Sequence, residues 1–87
     1  MKFNSNKERR EYWGLVQSKY PAIEIVKALR TLKPDAAKVL ILHYRQNYSF
    51  NEITIIMQKS ITVIRNHHNR GIYKLYRHFN PRSTETA

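Results

Sequence analysis

Hydrophobic positions recur along this chain at helical rather than strand spacing, in five stretches parted by prolines or capping residues. In the first, about Ser5 to Lys19, Tyr12, Val16 and Tyr20 stand at steps of four, and Trp13 and Leu15 widen the apolar side. Tyr20-Pro21 ends it, because the residue before a proline avoids helical angles. The second stretch, about Ala22 to Thr31, brings Ile25 or Val26, Leu29 and then Leu32 to one side. The third opens at Pro34, whose fixed φ suits a first helical residue, with Asp35 well placed against the helix dipole. It carries Val39, Leu40, Leu42 and His43 and runs to about Gln46.

The β-branched run Ile53-Thr54-Ile55-Ile56 would suit a strand, but what precedes it marks a helix start. Ser49-Phe50-Asn51-Glu52 is a capping box, in which Ser49 accepts from the Glu52 backbone and the Glu52 side chain reaches back. Ile53, Ile56 and Met57 then form a short apolar stripe. Ser60 offers a second cap, and from Ile61 to Phe79 the positions Ile64, His68, Gly71, Ile72, Leu75 and Phe79 share one helical face. The expectation is an all-α fold: a small bundle of five helices ending in a helix-turn-helix, Ser49–Met57 and Ile61–Phe79. Its organisation is a helical extension over 1–21, the helix-turn-helix domain over 22–80 and a flexible tail over 81–87.

Charge sharpens this picture. Sixteen Lys and Arg stand against six Asp and Glu among 87 residues, a formal net charge of +10, which calls for a polyanionic partner. A membrane does not fit: the longest aliphatic run, Val39 to Leu42, is far too short to span one, and no apolar stretch follows the basic N-terminus. The absence of cysteine removes disulfide and thiolate chemistry and fits a cytoplasmic location. His67 and His68 are adjacent on a helix and so point about 100° apart, which does not make a metal site. No cofactor is expected. Nor is catalysis, since Glu8, Glu11, Glu24, Asp35, Glu52 and Glu85 are scattered and Glu52 is already used as a cap.

The face of the last helix opposite its apolar stripe holds Thr62, Asn66, Asn69, Arg70, Tyr73 and Arg77, with Arg65 at its edge, and no acidic residue occurs from Ile61 to Pro81. A helix of this kind enters the major groove with its N-terminal side chains at base edges. Arg65 suits guanine, Asn66 and Asn69 suit adenine, and Thr62 suits a thymine methyl. Ser60, Arg70, Tyr73, Lys74 and Arg77 are placed for phosphates, as are Arg45, Tyr48 and Ser49 where the first motif helix crosses the backbone. His68 is expected to be packed and neutral, and His43 and His78 to lie at the boundary or surface. Trp13, Tyr12 and Tyr20 read as core, with a homodimer contact as the alternative.

From Ile25 to Phe79 the chain resembles region 4 of the sigma-70 family and, more loosely, LuxR-type DNA-binding domains. The likeness rests on Ala28-Leu29, Leu32, Pro34, Val39-Leu40, Leu42-His43-Tyr44, Tyr48-Ser49, Glu52-Ile53, Met57, Ser60, Val63-Ile64-Arg65-Asn66, Arg70 and Lys74-Leu75. It implies a sigma region 4-like topology, related to winged helices but without a wing, that reads a promoter element with the front of the last helix. By position those readers are Ile61, Thr62, Arg65 and Asn66. It also implies a contact with RNA polymerase. The chain departs from the family at Thr54 (usually Ala), Gln58 (the turn Gly), Lys59 (a buried aliphatic), His68 (often Leu) and Ile61 (often basic), changes that bear on turn geometry and target sequence. A DNA-melting domain has no room in 87 residues, so the expected role is a small regulator, a fragment being the alternative. Two rival functions are a DNA-recognition module of a phage or mobile element and an RNA-binding adaptor.

Overall fold

Capping chemistry sets the helix boundaries. Ser5 Oγ accepts from the Glu8 N–H at 3.2 Å and starts α1 (Asn6–Lys19), while Tyr20 takes extended angles before Pro21 and ends it. α2 (Ala22–Leu29) is followed by α3 (Pro34–Leu40), with proline in its first turn. The capping box is complete in α4 (Phe50–Met57): Glu52 N–H donates to Ser49 Oγ at 3.1 Å, and Ser49 N–H to Glu52 Oε1 at 2.8 Å. Ser60 Oγ accepts from Val63 N–H at 3.2 Å and opens α5 (Ile61–Phe79). This computed structural model describes residues 3–81, and among them there is no strand. Beyond Pro81, the expected tail lies outside the described residues.

Four expectations need correction. The third helix does not stay α-helical to Gln46. From Ile41 to Arg45 it widens into a π-helical segment, with Gln46 N–H donating to the Ile41 carbonyl at 3.2 Å, before Asn47 turns left-handed at φ 62°. The second helix ends at Leu29 instead of Thr31, because Thr31 and Leu32 N–H fold back onto Ala28 and Leu29 carbonyls. Leu15 is 55% exposed, lying beside the Trp13–Val16 stripe rather than on it. Ile56 is 43% exposed, because α4 is short and only Ile53 on it is fully covered.

Two apolar clusters share α3 and α5. One gathers Trp13, Ala28, Leu29, Leu32, Ala36, Leu40, Ile72 and Leu75. The other holds Val39, Leu42, Ile53 and Ile64 under the helix-turn-helix. Each fully buried aliphatic side chain contributes about 1.5–3 kcal/mol of transfer free energy. α1 closes the first cluster through ring contacts. Trp13 stacks on Tyr44 at 4.9 Å, Tyr20 on Phe79 at 4.0 Å, and Tyr12 meets Tyr76 edge-on at 5.6 Å. Trp13 is thereby buried, while Tyr12 and Tyr20 are half-buried.

The turn between α4 and α5 keeps a left-handed residue without glycine. Gln58 has φ 56° and ψ 47°, and its N–H and that of Lys59 both close on the Thr54 carbonyl. A non-glycine residue in this conformation costs on the order of 1 kcal/mol. Lys59, in the place of a buried aliphatic, is exposed and reaches Asp35 of α3 at 3.8 Å.

α5 packs tightly on Leu40 of α3 at Gly71. A Cβ there would lie 3.1 Å from Leu40 Cδ1 and 3.3 Å from Cγ, and Leu40 is itself fully buried. Gly71→Ala gains about 1 kcal/mol of helix propensity against this crowding, so stability should move little. Gly71→Val should lose about 2 kcal/mol through overpacking. Urea denaturation of both variants checks the pair, and a Val variant as stable as wild type would show that the contact is slack.

Candidate nucleic-acid interface

The outward arc of α5 follows from its buried one. Ile64, His68, Gly71, Ile72 and Leu75 face inward. At about 100° per residue, Thr62, Asn66, Arg70 and Arg77 then face away from the core, and all four are exposed. Arg65 is exposed at the edge of this arc and Ile61 is half-buried beneath it. Ser60 caps the helix end that carries these residues. Tyr73 is half-buried with the Arg77 guanidinium 6.0 Å from its ring centre. Val63 is 38% exposed between Thr62 and Asn66, an apolar side chain at the front of the helix that sequence reasoning passed over. Its place on the wheel, next to Asn66 and Arg70, was the available signal.

The two asparagines part company. Asn66 is exposed, whereas Asn69 is half-buried with its Oδ1 3.0 Å from His68 Nδ1. Since Oδ1 accepts, His68 Nδ1 carries the proton, and Nε2 accepts from the Tyr44 hydroxyl at 2.6 Å. His68 is 1% exposed, and burial pushes its pKa down to about 4, partly opposed by the Asn69 bond. Burial raises the Tyr44 phenol to about 12, so the donor of this chain keeps its proton. His43 lies beside it, its pKa also lowered by burial, with Nδ1–H donating to the Tyr48 carbonyl at 2.8 Å. That bond and the Phe50–His43 stack at 4.3 Å fix the corner from which Ser49 caps α4. The ring of Tyr48 packs partly on the Val39–Ile53 cluster.

The remaining basic residues fall on three sides. Lys74 and Arg77 border a hollow with Thr31 and His78. Arg70 and Lys74 also face Lys33 and Ala36 at the α2–α3 corner. Arg45 is set apart from all of these. It borders the grooves lined by Gln17, Tyr20, Val26 and Leu29, with α1 and α2 rather than with the corner at Ser49. Among the described residues, no three His, Asp or Glu side chains come together as a metal site, and no helix is long and apolar enough to cross a membrane.

A family model described as sigma-70, region 4 matches residues 22–75, from the start of α2 to Leu75 in α5. No curated protein and no solved structure matches the chain.

Burial of a neutral His68 makes stability depend on pH. Its folded pKa of about 4 lies below the ordinary 6.5, so the unfolded chain binds more protons between those values. The stabilisation is complete above about pH 6.5 and is lost as pH falls toward 4, amounting to about 3 kcal/mol. His43 acts in the same direction. Denaturation midpoints of wild type and His68→Gln between pH 4 and 7 should converge as pH falls, and parallel curves would refute the assignment.

Proposed function

Because this chain belongs to the sigma-70 region 4 family, a DNA-binding helix-turn-helix type, we propose that it is a transcription regulator that reads duplex DNA by laying α5 in the major groove. The observation that carries this is the exposed front of α5: Thr62, Val63, Arg65 and Asn66 follow a capped helix end, with no acid from Ile61 to Pro81. In this reading Arg65 takes guanine, Asn66 takes adenine, and Thr62, Val63 and Ile61 meet thymine methyls. Asn69 would have to leave His68 to pair with a base, so in this reading it orients the His68 ring instead. Arg70, Tyr73, Lys74 and Arg77, with Ser49 and Ser60 near the helix ends, serve the phosphates. An RNA-binding adaptor would offer exposed rings for base stacking. Here Tyr12 packs on Tyr76 and Tyr20 on Phe79 instead.

For RNA polymerase, the family's other partner, we propose a contact at α2 and α3. Between α2 and α3 lies an apolar cleft of ≈ 560 Å³ lined by Val26, Leu29, Pro34, Ala37 and Ile41, with Arg30 and Arg45 also on its walls. It suits a polymerase segment with apolar side chains flanked by acidic ones. This gives Arg45 a role on the polymerase side in place of the phosphate contact.

Three measurements follow. With about four to six phosphate contacts, the log–log dependence of duplex affinity on salt should have a slope near −4 to −5. On a site selected from a random library, Arg65→Ala should cost about 1–3 kcal/mol there and less on a scrambled duplex, whereas Arg70→Ala should weaken both and lower the slope by about one. Equal losses for Arg65→Ala on both duplexes would remove its base-reading role, and absence of binding at low salt would remove the DNA reading. Separately, Ala37→Glu should abolish capture by purified polymerase while leaving duplex affinity unchanged. Undiminished capture would place the polymerase contact elsewhere.

A further inference from the structure

One cation of α1 stands where a packed helix ordinarily carries an apolar side chain. Arg9 falls on the stripe of Trp13 and Val16, one turn before Trp13, and is half-buried. Its guanidinium is held in place: Nη1 donates to Asn6 Oδ1 at 2.9 Å and Nη2 to the Phe3 carbonyl at 3.4 Å. No carboxylate pairs with it among the described residues, where the two ion pairs are Lys27–Glu24 and Lys59–Asp35. The neighbouring Glu8 accepts from the Asn4 N–H at 2.6 Å.

Across from Arg9, α5 presents Arg70 and Lys74. The three cations border one open hollow of ≈ 440 Å³, completed by Phe3, Asn69 and Tyr73, with no acidic side chain in its lining. Like charges gathered in this way repel, and an anion among them relieves the repulsion. Phe3 and Tyr73 offer the apolar flanks that a sugar accepts. The hollow adjoins the outward arc of α5 through Arg70 and Tyr73, on the side where that helix would leave a groove.

We propose that Arg9 is a DNA-backbone contact: with Arg70 and Lys74 it forms a phosphate site for the strand flanking the groove that α5 enters. The site lies partly outside the family-matched residues 22–75, since α1 supplies one of its three cations. α1 is then part of the binding surface as well as part of the core. The inference rests on the DNA-binding reading above.

The test uses the full chain on its selected duplex, with Arg9→Gln and Arg9→Lys. Arg9→Gln should lower the salt slope by about one, equally on selected and scrambled duplexes. It should also remove one phosphate from the positions where backbone ethylation blocks binding. Arg9→Lys, which keeps the charge but not the paired hydrogen bonds, should retain the wild-type slope. Circular dichroism of both variants comes first; if Arg9→Gln unfolds, Arg9→Lys and the wild-type ethylation pattern carry the test. An unchanged slope and pattern in folded Arg9→Gln overturns the proposal and leaves DNA binding standing. So does a Lys variant that behaves like the Gln variant, which would make Arg9 only an anchor for Phe3. Failure of wild type to bind the duplex overturns the DNA reading and this proposal together.

Discussion

The contact between Leu40 of α3 and Gly71 of α5 is the constraint from which the rest of the molecule is arranged. Leu40 is fully covered, and the missing Cβ of Gly71 lets the α5 backbone settle against it. The neighbours of these residues then divide the interior. Ala36, Ile72 and Leu75 turn toward α1 and α2, while Val39 and Ile64 turn toward α4. α5 is therefore clamped at its middle, and its first two turns are carried beyond the clamp with one side covered by α4. A helix held in this way presents its exposed arc in one orientation, as groove recognition requires.

Local chemistry made much of this legible from the sequence. The capping box at Ser49 and Glu52, the cap at Ser60 and the inward stripe of α5 each depend on residues within a few positions of one another, and the structure has them all. The features that escaped depend on distant partners. The π-helical widening after Leu40 coincides with Leu42 and Tyr44 serving different clusters. Leu15 lies beside the buried stripe of α1, and Ile56 fits the period of α4 but is only partly covered. Gln58 holds the angles usually left to glycine because the chain on both sides is fastened, Thr54 below it and Lys59 to Asp35 across it.

The same division runs through the candidate interface. Which residues face outward on α5 could be counted from the helical repeat. That Arg45 looks toward α1 and α2, and that Arg9 comes from the far end of the chain to meet Arg70, is set by how α1 docks. That docking is made by rings — Trp13 on Tyr44, Tyr20 on Phe79 — whose partners are unrelated in sequence spacing. Aromatic pairs of this kind add about 0.5–1.5 kcal/mol each beyond the area they bury.

The hydrogen-bonded chain from Tyr44 through His68 to Asn69 divides the candidate interface into a bonded part and an exposed part. Asn69 is tied to His68, whereas Arg65 and Asn66 are exposed. Ordering each of those side chains costs about 0.5–1.5 kcal/mol on binding. In the proposed reading of DNA, the front of the helix would therefore bear this ordering cost, while Asn69, already bonded to His68, would not.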